Sequence, residues 1–217
     1  MSRFPRFPSF EPVFSPGPSP GTVPLHLTLL HVSAETNLAL EAIWDAGRRS
    51  GSQLDEELDA LLGESNWRPQ LVGAAAVLLF GGTPARVDIL WRALDRPCWT
   101  SPQLAAAASL ADPDFEARAR ERIERRCPLD ARDATSMPWV QRHSALGPES
   151  NADHEKKVLS ALIALSERIA SASSWLPALA AADDIRTMIA SDDARGGELA
   201  VRWRDEVSSL LARFQHS

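Results

Sequence analysis

From Leu71 to Phe80 every residue is apolar or glycine. A helix carrying that run has no polar side and must be covered all round. It is too short to cross a bilayer, which takes about 20 apolar residues; Arg68 precedes it and Gly81-Gly82 follows it. The run therefore reads as the central helix of an all-helical core, with Leu78 and Leu79 buried whichever way the helix turns. The segment also recurs. Trp67-Arg68-Pro69-Gln70-Leu71-Val72-Gly73-Ala74-Ala75 is echoed by Trp99-Thr100-Ser101-Pro102-Gln103-Leu104-Ala105-Ala106-Ala107, with Pro69 and Pro102 33 residues apart. That period is the length of a helix pair, a unit that buries its apolar face only by stacking on a neighbour. A weaker echo, Trp175-Leu176-Pro177-Ala178-Leu179, carries the pattern toward the C-terminus.

Around this centre the spacing predicts further helices. Ser33 is the expected cap of a helix to Arg49 with Leu38, Ala42 and Ile43 inward, and Gly47 and Gly51 mark its end. Leu54, Leu58, Leu61 and Leu62 keep helical spacing while Asp55, Glu56, Glu57 and Asp59 fill the other side, an acidic exposed face. Thr83-Pro84, Ser101-Pro102 and Asp112-Pro113 each combine a capping side chain with a proline in the first turn. The stripe Val87, Leu90, Trp91 and Leu94 makes Trp91 a core residue. Helix 113–126 alternates arginine with glutamate at i,i+4 spacing, as an exposed, ion-paired helix does. Val158, Leu162, Leu165 and Ile169 define one late amphipathic helix, and Leu199, Trp203, Val207, Leu210 and Phe214 another.

Two segments interrupt the helical grammar. Residues 1–24 hold seven prolines, and each removes a backbone donor and disfavours helix in its predecessor. They read as an extended arm, with Phe4, Phe7 and Phe10 on one side of a threefold polyproline helix. Val23 to Val32 reads as extended chain or a helical lead-in packed on the helices. From Pro128 to Asn151 the pattern lapses again, and a connection that long is commonly functional. Met137-Pro138-Trp139-Val140 lies within it, with Arg142 and His143 close by. Trp139 and Arg142 are candidate partner contacts there, because aromatic and arginine side chains are enriched at protein interfaces.

The chemistry the chain lacks narrows its function. It has no glycine-rich phosphate loop, no His-Glu-x-x-His and no Gly-x-Ser-x-Gly, and His154-Glu155 lacks the second histidine of a zinc helix. Cys98 and Cys127 match neither a disulfide framework nor a metal-ligand pairing and read as thiols of a reducing compartment. Neither has a helix-spaced histidine or an obvious activating base. Asp183-Asp184 and Asp192-Asp193 are the one oxygen-rich set that suggests a hard cation, as in an all-helical metal-dependent hydrolase. The net charge of −6, from 29 acidic and 23 basic residues, argues against nucleic acid and for a basic partner. No signal peptide is evident, which points to the cytoplasm, with no membrane, cofactor or metal.

The helix pairs, with prolines opening helices and alanine on the inner faces, resemble a short HEAT-like array of antiparallel pairs. Residues 60–127, carrying Asn66-Trp67-Arg68-Pro69-Gln70-Leu71-Val72, Leu90-Trp91-Arg92-Ala93-Leu94-Asp95 and Asp112-Pro113-Asp114-Phe115, also resemble small bacterial proteins of toxin-linked loci. The resemblance implies an immunity protein: a non-enzymatic binder that neutralises a cytoplasmically acting toxin. The expected organisation is an arm, residues 1–24, and a single helical-repeat domain, residues 25–217. Asp55, Glu56, Glu57, Asp59, Trp139 and Arg142 are the candidate partner-binding residues. An adaptor or effector chaperone recruiting through the Phe/Pro arm is the other binding reading.

Overall fold

The computed structural model describes residues 6–15, 23–125, 151–190 and 195–214, and these form helices and turns without a strand. In chain order the helices are α1 (Glu11–Phe14), α2 (Leu25–Thr28), α3 (Thr36–Ser50), α4 (Leu54–Gly63), α5 (Trp67–Phe80) and α6 (Pro84–Leu94). They continue as α7 (Ser101–Ala111), α8 (Phe115–Arg125), α9 (Asn151–Ser166), α10 (Leu176–Ala180), α11 (Asp183–Ala190) and α12 (Gly196–Leu211). Single 3-10 turns occupy Pro8–Phe10, Gly51–Gln53 and Ala170–Ser174.

The apolar run is a central helix. In α5 every residue from Pro69 to Val77 is buried, and in α7 every residue from Ser101 to Ala108. α5 packs against α3, α4, α6 and α7, while α7 packs against α5, α6, α9 and α12. Glycine and alanine bring these neighbours close. A Cβ on Gly73 would sit 2.8 Å from Leu62 Cγ of α4, closer than side-chain carbons approach. The two copies of the sequence echo are therefore both helical and in direct contact. Their tryptophans meet edge to face, Trp67 and Trp99 at 5.2 Å between ring centroids. Their glutamines, Gln70 and Gln103, are both buried.

The covering of α5 is incomplete, contrary to the sequence expectation. Leu78, Leu79 and Phe80, in the last turn, are only partly buried against the core. Phe80 is instead stacked on Trp44 at 4.8 Å and 8°. It lies over Gly47, where a Cβ would come within 2.2 Å of the ring. Gly47 is thus a packing residue inside α3, and Gly51, at φ +54, ends that helix.

Local signals were followed in most places and displaced by a residue or two in others. Asn66 caps α5 by accepting from the Arg68 amide at 3.0 Å, and Thr83 caps α6 ahead of Pro84. The side chain of Ser33 does not cap α3; its amide donates to Thr36 Oγ1 at 2.9 Å and the helix starts at Thr36. With that register the buried stripe is Ala39, Leu40, Ile43, Ala46 and Gly47, and Leu38 is 55% exposed. One helical position is about 100° of rotation, enough to carry Leu38 off the inner face. Val23 to Val32 contains the short helix α2, with His26, Thr28 and Leu29 buried. α9 buries Val158, Leu162 and Leu165 as expected. α12 buries Trp203 and Val207, and the Trp203 indole donates to the Leu29 carbonyl at 2.7 Å, tying the C-terminal helix to the N-terminal region.

The described part of the arm is not extended. Pro8–Phe10 is a 3-10 turn and Glu11–Phe14 a helical turn, with Pro8 and Pro12 in first-turn positions where no amide donor is required. Three residues per turn is also the 3-10 period, so the Phe7 and Phe10 spacing read as polyproline is satisfied by a tighter helix. Both rings are buried, together with Val13. Phe4 lies outside the described residues. One contiguous apolar cluster runs from Phe7 to Leu211.

Burial separates two leucine classes in α5. Leu71→Ala, at a fully buried site, is expected to cost about 2–5 kcal/mol, and Leu78→Ala or Leu79→Ala markedly less. Chemical denaturation measures all three; equal losses would place the end of α5 in the core after all.

Candidate functional site

The acidic side of α4 divides in two. Asp55 and Asp59 are exposed, 63% and 57% by side chain, and reach α6 through Arg86 Nε at 2.6 Å and Arg92 Nη2 at 3.4 Å. Glu56 is exposed as well. The Arg92–Asp59 pair is exposed on both sides, a kind worth about 0–1 kcal/mol, so Asp59 remains available to an incoming cation, whereas the Arg86 side chain is 12% exposed and also donates to the Phe80 and Gly81 carbonyls at 2.7 and 3.2 Å. Glu57 departs from the expected exposed face: it is 3% exposed. Its Oε2 accepts from the Ser9 amide at 3.2 Å and its Oε1 from the Ser9 hydroxyl at 2.8 Å. It points inward because it is the polar anchor of the N-terminal segment. Trp139 and Arg142 lie outside the described residues, as does Cys127.

A polar cluster that no sequence motif announced lies beneath the start of α7. Cys98 and Thr100 come from the α6–α7 turn, Ser101 from the first position of α7, Arg122 from α8, and His154 and Glu155 from α9. His154 Nδ1 lies 2.9 Å from Ser101 Oγ and accepts from the Cys98 amide at 3.3 Å. The Ser101 hydroxyl also reaches the Cys98 carbonyl, and Cys98 Sγ is 2.9 Å from Thr100 Oγ1. Because an amide N–H points at Nδ1, the imidazole proton belongs on Nε2, a buried atom with no hydrogen-bond partner among the described residues. Next to it Arg122 donates to Glu155 through two nitrogens, at 2.8 and 2.6 Å, and to Asp95 through Nε at 2.7 Å. Helix 113–126 was expected to be an exposed ion-paired helix; Arg122 is its buried exception.

A serine hydroxyl at hydrogen-bond distance from an imidazole is the beginning of a nucleophile–base pair. Here Ser101 is fully buried and His154 is 1% exposed, so neither side chain faces solvent. Burial also pushes the His154 pKa down to about 4, against the raising influence of the Glu155 carboxylate, which makes it a poor base near neutrality. Burial alone would lower the Arg122 pKa, but the Glu155 and Asp95 bonds and charges outweigh it and raise it. The cluster is a structural lock joining the α6–α7 turn, α8 and α9. In the sequence it shows only as the pair His154-Glu155, which lacks the second histidine of a zinc helix.

A third feature is open to solvent. A groove of about 540 Å³ runs along α8 and the Ala170–Ser174 turn, lined by Asp114, Glu116, Arg120, Glu121, Glu124 and Trp175 among others. Hydrogen bonds from Ser171 and the Trp175 indole hold the Glu116 carboxyl below its usual range. The Arg120 guanidinium lies over Trp175 at 5.8 Å and bonds Glu124 at 2.8 Å. The groove mouth is thus predominantly anionic. Of the four aspartates considered for a metal, Asp183 is exposed and paired with Arg186 at 2.7 Å. Asp184 is exposed beside it, and Asp192 and Asp193 lie outside the described residues. Among the described residues no group of three or more metal-ligating side chains converges, and no helix is long and apolar enough to cross a membrane. Comparison with family models, curated proteins and solved structures gives no match.

The buried imidazole has a pH consequence of definite sign. The unfolded chain takes up a proton at His154 near pH 6.5, the folded protein only near pH 4. Between those values the unfolded state binds more protons, so stability falls as pH drops from about 6.5 to about 4, by up to about 3 kcal/mol from this residue. Denaturation of wild type and His154→Gln across that range should show a shallower acid limb in the variant. Parallel curves would mean that His154 takes up its proton at the same pH in the folded and unfolded protein.

Proposed function

We propose that this protein acts by binding a basic protein partner, as an immunity protein that neutralises a toxin in the cytoplasm, on a short HEAT-like scaffold of antiparallel helix pairs. The observation that carries this reading is the opposite placement of its two kinds of polar group. The side chains suited to chemistry, Cys98, Ser101 and His154, are buried. Asp55, Glu56 and Asp59 of α4 and the carboxylates of the α8 groove face solvent. Exposed acid on a chain of net charge −6 steers a cationic partner and raises its association rate. The direct contact of α5 with α7, the two copies of the 33-residue echo, supports the repeat reading. The adaptor reading needs Phe7 and Phe10 free to recruit, and both are buried against the protein's own helices.

Capture of the partner from a lysate, identified by mass spectrometry, opens the test. With the purified pair, reversing Asp55, Glu56 and Asp59 to lysine should slow association by about tenfold at low salt. The difference should vanish at about 1 M salt, where screening acts within about 3 Å. An association rate indifferent to both charge reversal and salt removes α4 from the interface. Turnover of a substrate by the purified protein would overturn the binding reading itself.

A further inference from the structure

The N-terminal segment is held in the manner of a bound peptide. Backbone groups are ordinarily satisfied by secondary structure of their own, yet Ser9 is read by side chains from two distant helices. Glu57 of α4 takes both its amide and its hydroxyl, and Arg49 Nη2 of α3 donates to its carbonyl at 3.1 Å. Glu57 is itself buried, and a buried carboxylate requires such donors. On either side of Ser9 the segment inserts Phe7, Phe10 and Val13, which are 3%, 0% and 0% exposed. His26 Nδ1 of α2 lies 3.3 Å from the Val13 carbonyl, and at the rim Arg6 Nη1 meets Glu64 at 3.1 Å.

We propose that the groove formed by α2, α3 and α4 is a peptide-binding site for the pattern Phe-x-Ser-Phe-x-x-Val, filled at rest by the chain's own residues 6–15 and able to take the same segment from a second copy of the chain. The second copy is the occupant because its segment satisfies every contact just described. Three apolar plugs supply most of the affinity, and the Glu57 and Arg49 clamp supplies the selectivity for a small hydroxyl residue at one position. A larger or anionic side chain there meets the Glu57 carboxylate and is rejected. In the resting protein the tethered segment competes at an effective concentration in the millimolar range, so the incoming segment enters when the resident one is weakened. This inference is independent of the proposed basic partner, which concerns other faces.

The test uses the full chain and a fluorophore-labelled synthetic peptide of residues 6–15, followed by anisotropy. Ser9→Glu in the chain weakens the resident segment and leaves every groove side chain intact. The peptide should bind that variant at least about tenfold more tightly than it binds wild type. Peptides carrying Phe10→Ala or Ser9→Glu should bind at least about tenfold more weakly than the natural one. Equal affinity for both chains, or equal binding of the Phe10→Ala peptide, overturns the proposal. Should the Ser9→Glu chain not fold, amide exchange on wild type decides. Unlabelled peptide at about 5 mM should accelerate exchange of the Ser9 amide severalfold while the Phe10→Ala peptide does not, and an unchanged rate contradicts the exchange.

Discussion

Two helices without a polar side, α5 and α7, oblige the rest of the chain to surround them. Their small residues allow close approach and their predominantly apolar surface disfavours exposure on any side, so α3, α4 and α6 gather on one and α6, α9 and α12 on the other. Apolar burial of this kind is worth about 25 cal/mol per Å², and it supplies the drive without prescribing a geometry. Directional bonds at the margins supply the geometry. Trp91 donates to Asp112 at 2.7 Å where α6 meets the turn before α8, and Trp203 to the Leu29 carbonyl where α12 meets the N-terminal region.

The buried cluster around Arg122 serves the same purpose at greater cost. Removing a guanidinium and a carboxylate from water costs several kcal/mol per ion, and the pair is tolerable only when its bonds are complete. The two-nitrogen contact with Glu155 and the bond to Asp95 meet that condition. Truncation of one partner leaves a bare buried charge, a loss of about 3–5 kcal/mol. Such a cluster makes one arrangement of α8 and α9 far better than its alternatives. It also encloses Ser101 and His154, which are buried by the elements they join.

Legibility in the sequence followed the distance over which an interaction acts. The central helix was readable because ten successive apolar or glycine residues admit few environments, and the cap at Thr83 because a cap is decided within four residues. The core role of Trp91 followed from helical spacing. Glu57 was misread because four acidic residues in five look like one solvated face, and only its contact with Ser9, 48 residues earlier, turns it inward. Leu78 and Leu79 were misassigned because an all-apolar run says that covering is needed and not where the covering helices stop. The Cys98–Ser101–His154–Arg122–Glu155 cluster draws on three separate segments, and no local pattern brings them together. Among the described residues 6–15 of the arm, the prolines are compatible only with short turns. They did not exclude single turns that begin on a proline.

The proposed reading, that the cluster of Cys98, Ser101 and His154 is enclosed and that the protein acts through its exposed faces, is tested most directly at Cys98, which is 5% exposed. In a Cys127→Ser chain the rate of alkylation of Cys98 by a small thiol reagent reports access to the whole cluster. A thiol reached only through unfolding reacts at the intrinsic rate reduced by the unfolding equilibrium, about a thousandfold or more for a domain of ordinary stability. The predicted result is that protection of this size, declining in step with stability as denaturant is added. Native-state labelling within about tenfold of an unfolded thiol, insensitive to denaturant, would contradict it and return Cys98, Ser101 and His154 to consideration as an accessible reactive site.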